Sequence, residues 1–417
     1  MAGARYEASA TVSAAGLSGR RRGLGPQPGR LYHCPMDSSP RLTIETDLSR
    51  IDARQWDALA GDQPFLRHAF LRAMHETGCA SPRTGWSPHY LALWRGQTLA
   101  GAVPLYLKSH SRGEYVFDHA WADAFERYGL RYYPKLLSAV PFTPVTGPRL
   151  LAAGPDERAA LARALIAFAE EIGVSSLHLL FPSDTDMRAL REAGFLVRES
   201  VQFHWRNAGH ADFDAFLASM SHDKRKKIRQ DRKKVAAAGL RHRWLRGDAI
   251  GADELDFFYQ CYRTTYFQHG NPPYLSADFF HRAHRDQPDA FVLILAERDG
   301  APVAAALNLA GGDALYGRYW GATEYVPGLH FETCYMQAIA YCIAHGFARF
   351  EGGAQGEHKM ARGLLPTPTW SAHWVADPRF ADAIQRFLDE ETTAVEGYLD
   401  ELEAHTPFKQ NTPDSAG

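Results

Sequence analysis

Long apolar runs are missing from this 417-residue chain. The longest, such as Ala290–Ala296, are far too short to cross a bilayer as a helix, so no transmembrane segment is expected. Cysteine is sparse. Cys34, Cys79, Cys261, Cys334 and Cys342 are scattered and form no C-x-x-C pair, which argues against a disulfide framework and for a reducing, cytoplasmic setting. Excess charge of one sign is absent too: the net charge is -2, so no global field draws the chain to nucleic acid or membrane, and any such partner must be held by a local patch. Several catalytic signatures are lacking. There is no H-E-x-x-H and no Cys/His set at zinc spacing, so no metal site is expected. There is no G-x-S-x-G elbow for serine hydrolysis, no G-x-G-x-x-G after a strand for a dinucleotide, and no Walker loop. The nineteen histidines are dispersed, and His68, His75, His178 and His204 read as structural.

What is present suits a soluble α/β protein: 45% of residues are hydrophobic and 23% charged, in a chain long enough for two domains. Residues 1–35 are rich in Ala, Gly, Ser and Arg and lack an apolar secretory core, so they read as a disordered leader or as an extension upstream of a start at Met36. Residues 404–417 read as a disordered tail. Between them an order of elements occurs twice. Tyr90–Trp94 and Leu99–Leu107 predict a hairpin, as do Phe291–Ala296 and Pro302–Ala310. Later in each half an apolar-periodic helix (Asp156–Ile172, then Phe331–Ala344) ends just before a glycine, Gly173 or Gly346, and a strand follows. This predicts a first domain over 36–200, with an insertion near 109–135, and a second over 201–403. Two unrelated α/β domains are the alternative.

Three segments carry candidate chemistry. Between His222 and Lys234 lie eight Lys/Arg and two Asp, a local charge of +6. A solvated helix face usually mixes signs at i,i+4, and like charges at that spacing repel, so a polyanion such as an RNA backbone or a nucleotide diphosphate is a natural neighbour. Lys224, Arg225 and Arg229 are the candidate phosphate ligands; a plain solvated face is the alternative. Tyr316-Gly317-Arg318-Tyr319-Trp320-Gly321 places an Arg-aromatic core between two glycines, where backbone can approach a ligand closely and Arg318 can bind a carboxylate or phosphate in bidentate fashion, with Tyr319 beside it. An aromatic core strand would look the same. Third, Arg349–Gly363 runs a strand into a Gly-rich turn holding Glu351, Gln355, His358 and Lys359. Glu351 or His358 can accept a proton from an attacking amine, Lys359 can neutralise an oxyanion or phosphate, and Gln355 can bind substrate. In the first half, the polar-aromatic stretch Gly113–Asp123 is expected to wall a cleft, with Glu114, Asp118 and Trp121 as substrate contacts; a packed lid is the alternative.

These residues resemble the FemA/FemB/FemX group of the GNAT superfamily. Lys224–Gly239 is similar to that group's Lys-Arg-Arg helix and turn, Leu315–Gly353 to its Tyr-Gly strand, following helix and acidic-Gly-Gly turn, and Lys359 to its loop lysine; Val145–Arg149 resembles its first-domain Gly-Pro segment. Gly113–Trp121, Arg131–Lys135 and Val140–Arg149 look more narrowly like a FemAB-like bacterial branch, and the resemblance spans about 36–405. It implies an α/β fold of tandem GNAT-like domains, each a mixed twisted sheet flanked by helices. It implies transfer of an acyl or aminoacyl group to an amine without a covalent enzyme intermediate, with charged tRNA as a donor and a cell-wall precursor as an acceptor. Where common GNAT enzymes carry an acetyl-CoA pyrophosphate loop, this chain reads Glu324–His330, a departure that weakens acyl-CoA as co-substrate. A CoA-dependent N-acetyltransferase and a non-catalytic binding module remain the alternatives.

Overall fold

The computed structural model describes residues 40–354 and 356–409. The leader 1–35, Gln355 and residues 410–417 lie outside the described residues. Strands follow in chain order: β1 Arg41–Glu45, β2 Trp86–Pro88, β3 Tyr90–Arg95, β4 Thr98–Val103, β5 Leu105–Lys108, β6 Lys135–Ser138, β7 Leu151–Ala152 and β8 Ser176–Leu180. The next is β9 Leu196–Arg206, then β10 Leu240–Arg246, β11 Phe291–Arg298, β12 Ala301–Gly311, β13 Ala314–Ala322, β14 Arg349–Glu351 and β15 Leu365–Val375. Both expected hairpins form. In the first, Pro104 interrupts the returning arm: β4 stays with β3 in a four-stranded sheet ordered β1-β3-β4-β7, while β5 joins an eleven-stranded sheet. Proline has no N–H for the ladder, so the strand changes partners there.

The large sheet is ordered β10-β11-β12-β13-β14-β9-β15-β8-β6-β5-β2. It is continuous from one half of the chain to the other. Strand β9 crosses residue 200, and β15, from the end of the second half, lies between β9 and β8, pairing Leu365–His373 with His204–Leu196 and Ser371–Val375 with Leu180–Ser176. Strand β11 is buried on both faces, which accounts for its unbroken apolar run. The helices Pro155–Ile172 and Gln337–His345 end at Gly173 and Gly346, whose φ values of 66° and 73° are the left-handed caps that glycine supplies without strain. A single apolar core reaches across both halves, where Phe65 meets Tyr316 edge-on at 5.4 Å and Phe70 meets Phe279 at 5.3 Å.

One expectation needs correction. Residues 405–409 do not hang free: Phe408 pairs with Met220 and packs against Phe216, so the start of the tail is tied to the second half. The basic segment is a helix pair, Phe213–Ser219 and His222–Ala237, broken at Met220–Ser221. No helix among the described residues is long and apolar enough to cross a membrane.

Candidate active site

Parallel pairing occurs at two places in the large sheet, β13 with β14 and β6 with β8. Each opens a fork at the carboxyl ends of the strands, where α/β sheets bind ligands. The fork in the first half is filled by protein. Arg149 is fully buried there and donates to the carbonyls of Val145, Gly147, Pro148 and Leu180, while its backbone N–H is held by Asp186. The fork in the second half is open. Strands β13 and β14 pair only over Ala314–Tyr316 and Arg349–Glu351, and β13 then runs on to Ala322 alone on that side.

A bulge shapes β13 just past the fork. Leu307 faces Tyr319 and Asn308 faces Gly317, so Arg318 is an extra residue without a partner on β12. The bulge turns Arg318 and Tyr319 toward the first half together. Gly317 is required there, because a Cβ would come within 2.9 Å of the Phe350 ring. The Arg318 guanidinium lies over the Phe65 and Tyr316 rings at 5.2 and 5.6 Å, and its Nη1 donates to the Gly317 carbonyl at 2.9 Å. Its Nε and Nη2 have no hydrogen-bond partner among the described residues, although the side chain is only 3% exposed. Glu351 faces it. Oε1 accepts from Arg349 Nε at 3.4 Å; Oε2 is unpartnered and 3.7 Å from Arg318 Nη2. Burial raises the Glu351 carboxyl above its ordinary pKa, against the pull of Arg318 and Arg349. Tyr319 packs on Phe280 and Tyr262, with its hydroxyl 3.5 Å from Thr143 of the first half.

Lys359 sits in the short turn Glu357–Arg362 and reaches back to donate to the carbonyls of Gly353 at 2.9 Å and Ala354 at 3.1 Å. Burial, with Arg318 adding repulsion, pushes its ammonium down to about 8. Burial first, and then the positive charges of Arg318, Arg349, Arg206 and Lys359, hold His204 of β9 at about 3; burial, then His358 and Lys359, hold His330 at about 4. A cavity of about 130 Å³ lies between β13 and the helix behind it, bordered by Arg318, Tyr319 and Trp320, by His330, Cys334 and Tyr335, and by Phe350 and Gly352. On the other side, Tyr115, Phe142, Tyr266 and Tyr274 form an aromatic cluster that joins the two halves. Phe142 stacks on Tyr274 at 4.7 Å, Tyr266 meets Tyr274 at 5.8 Å, and Tyr115 is close enough for Tyr274 and Arg318 to act on its hydroxyl. Tyr115 and Phe142 are held at φ 66° and 59°, conformations that cost non-glycine residues energy and gather at functional sites.

The structure thus brings Arg318, Tyr319, Glu351 and Lys359 together. His358 is apart: it is exposed, and its ring faces Phe331 and Tyr335. Gln355 lies outside the described residues. On the basic helix, Lys224 and Arg229 are exposed and Arg225 is half-buried. Among the described residues none of the three has a carboxylate within 4.0 Å, whereas Arg232 pairs with Glu332, and Asp231 takes Lys227 and Arg362. The Arg362 bridge ties the basic helix to the turn that carries Lys359. Glu332 begins a π-helical turn, Glu332–Met336, inside the helix behind β13, where its carboxylate accepts from Gln337 at 2.7 Å and Arg232 at 3.1 Å. A carboxylate therefore holds the place where the helix start would attract an anion.

The first-half calls come out differently. Glu114, Asp118 and Trp121 turn inward from the insertion and are buried, so they are not on an open wall. Lys135 donates to Glu114 Oε2 at 2.8 Å and closely to Asp118; Tyr132 donates to Asp118 at 2.6 Å and lies 3.1 Å from His178, which in turn meets His373 at 2.8 Å. Trp121 packs edge-on against His373 at 4.9 Å. Lys108 and Lys135 are paired residues on adjacent strands, so two ammonium groups lie inside one face of the sheet, and the insertion supplies the carboxylates that neutralise them. Tyr115, between two of the expected contacts, is the residue that does reach the aromatic cluster joining the halves. His204, read as structural, is buried on β9 beside Glu351, its ring hydrogen-bonded to Gln202. Neither carried a signal in the sequence, because both are placed by contacts more than a hundred residues away.

A sequence model of the FemAB-like family, described as peptidoglycan biosynthesis/recognition, matches residues 47–410. The chain belongs to the FemAB-like family. Solved structures agree with the fold of this FemAB-like protein. A crystal structure of FemX superposes with a TM-score of 0.50 at 12% identity, covering 80% of this chain and 98% of that one. The C-terminal domain of a protein assigned as a lysylphosphatidylglycerol synthetase from Agrobacterium fabrum superposes with a TM-score of 0.52 at 10% identity, covering 82% and 96%. At such identities the likeness concerns the fold, which is a tandem GNAT architecture. No curated protein gives a significant match.

Proposed function

We propose that this FemAB-like protein transfers an acyl or aminoacyl group from an activated ester to an amine at the β13–β14 fork. One observation carries this reading: the buried Lys359 ammonium is held by the Gly353 and Ala354 carbonyls in the turn just past β14, and its side chain packs beside Gly352, which borders the same cavity as Arg318. The acceptor ammonium gives one proton to Glu351, whose raised proton affinity suits a base for an amine. The free amine attacks the donor carbonyl, and Lys359 neutralises the oxyanion. The C–N bond forms, the ester C–O bond breaks, and the second amine proton leaves with the alcohol oxygen. No covalent enzyme intermediate is needed.

The donor approaches from the helix side. The basic helix of Lys224, Arg225 and Arg229, tied to this region by Arg232–Glu332 and Asp231–Arg362, supports a polyphosphate donor such as charged tRNA, while the Glu332 carboxylate disfavours the diphosphate of acyl-CoA. The family's description favours an acceptor from cell-wall chemistry. The test is transfer of a labelled amino acid from a charged tRNA pool into an amide product. Lys359→Ala is expected to lower turnover at least about 100-fold, and Lys224→Glu with Arg225→Glu to weaken and flatten the salt-dependent tRNA binding. Unchanged turnover in Lys359→Ala and Glu351→Gln, with only binding reduced, makes the protein a recognition module.

A further inference from the structure

The polar groups around Arg318 are arranged for a ligand of particular charge. Buried polar atoms are nearly always paired, and an orphaned one costs about 1–3 kcal/mol, so a cluster of them calls for a reason. Here Arg318 Nε and Nη2, Glu351 Oε2, Gln63 Oε1 and Thr146 Oγ1 are all buried and unpartnered among the described residues. They form one neighbourhood: Gln63 Nε2 donates to the Thr146 carbonyl at 3.1 Å and to the Tyr316 hydroxyl at 3.3 Å, and Arg349 reaches that same hydroxyl at 3.3 Å and Glu351 at 3.4 Å. Nε and Nη2 are the side-on edge with which a guanidinium takes a carboxylate in two parallel hydrogen bonds. Two unpartnered acceptors belong to the same neighbourhood: Glu351 Oε2, 3.7 Å from Arg318 Nη2, and Gln63 Oε1.

A simple anion would meet the Glu351 carboxylate there, and a doubly charged phosphate would meet it at greater cost. A simple cation would meet Arg318, Arg349 and Lys359. A group carrying both charges on one carbon satisfies both poles, which lie 3.7 Å apart. We propose that the Arg318–Glu351 cleft binds a zwitterionic α-amino-acid group, with its carboxylate on the Arg318 Nε/Nη2 edge and its ammonium on Glu351 Oε2 and Gln63 Oε1. This rests on the transfer reading above and names its acceptor: the α-amine on Glu351 is the nucleophile, directed toward Lys359. A free amino acid and the α-amino-acid end of a longer diamino acid share this chemistry.

Calorimetry on the full chain, without donor, tests the site. The probes are L-alanine, D-alanine and meso-2,6-diaminopimelate, with propionate and ethylamine as single-charge controls. At least one zwitterion is expected to bind at least about tenfold more tightly than either control, since each control leaves one buried pole unpaired. Saturation by an alanine assigns a free amino acid; binding by diaminopimelate alone assigns the end of a longer chain. Glu351→Gln, close in shape and suited to keep the fold, is expected to remove the preference for alanine or diaminopimelate over propionate, and Arg318→Gln to abolish binding of every carboxylate. The proposal is overturned if no zwitterion binds, if propionate binds as well, or if inorganic phosphate competes at equal concentration. Binding without transfer sinks the transfer reading and leaves the site standing; transfer without zwitterion binding sinks the site alone.

Discussion

Lys359 is charged against its surroundings, and that has a measurable sign. Its folded-state pKa is about 8 against an ordinary 10.5, so between those values the unfolded chain holds the extra proton. Stability attributable to this group therefore rises as pH rises from about 8 toward 10.5, and below 8 the fold carries a buried ammonium at full cost. Lys359→Met is expected to raise the melting temperature at pH 7 while abolishing transfer, with the gain shrinking by pH 10; scanning calorimetry at both pH values checks it. Turnover in the natural protein is expected to fall as pH rises through about 8, because the neutral amine no longer stabilises an oxyanion. Arg318 shows how little of a residue's role its neighbours in sequence reveal. The Gly-Arg-Tyr-Trp-Gly run marked a place of close approach, but the bulge that turns Arg318 and Tyr319 the same way depends on the register of β12.

Among the elements, the insertion between β5 and β6 is a charge clamp. Its density of polar and aromatic residues was visible in the sequence, but its direction was not. A carboxylate such as Asp118 reads alike on a cleft wall and opposite a buried lysine, and only the strand register that sets Lys108 beside Lys135 decides between them. Lys135→Met leaves Asp118 buried without its ammonium and Glu114 with Lys108 alone, with an expected loss of about 3–5 kcal/mol in urea unfolding. The acid limb changes as well. Although burial opposes it, Lys135 holds Asp118 below its ordinary value of 3.8, so its contribution is present above that value and is lost as pH falls below it. In Lys135→Met that loss is expected to vanish. The hairpins and glycine-capped helices were legible because their signals are local: a turn, a period and a cap within some twenty residues.

At the scale of the whole molecule, the halves are joined by hydrogen bonds as well as by apolar packing. Strand β15 lies between β9 and β8, so a chain ending at residue 206 would leave both with open edges. Residues 40–206 expressed alone are expected to give a poorly dispersed amide spectrum. The full chain is expected to unfold in one transition, with calorimetric and van't Hoff enthalpies agreeing. Two well-separated transitions would show that the shared sheet does not couple the halves. The sequence by itself determined the repeated order of elements, the basic helix and the Gly-rich turn, because periodicity, capping and charge density act over short stretches of chain. Which fork stays open, which is plugged by Arg149, and which buried charges face each other were decided only by tertiary structure. Those outcomes depend on strand register and on contacts between residues far apart in the chain, where a shift of one position turns a side chain to the other face of the sheet.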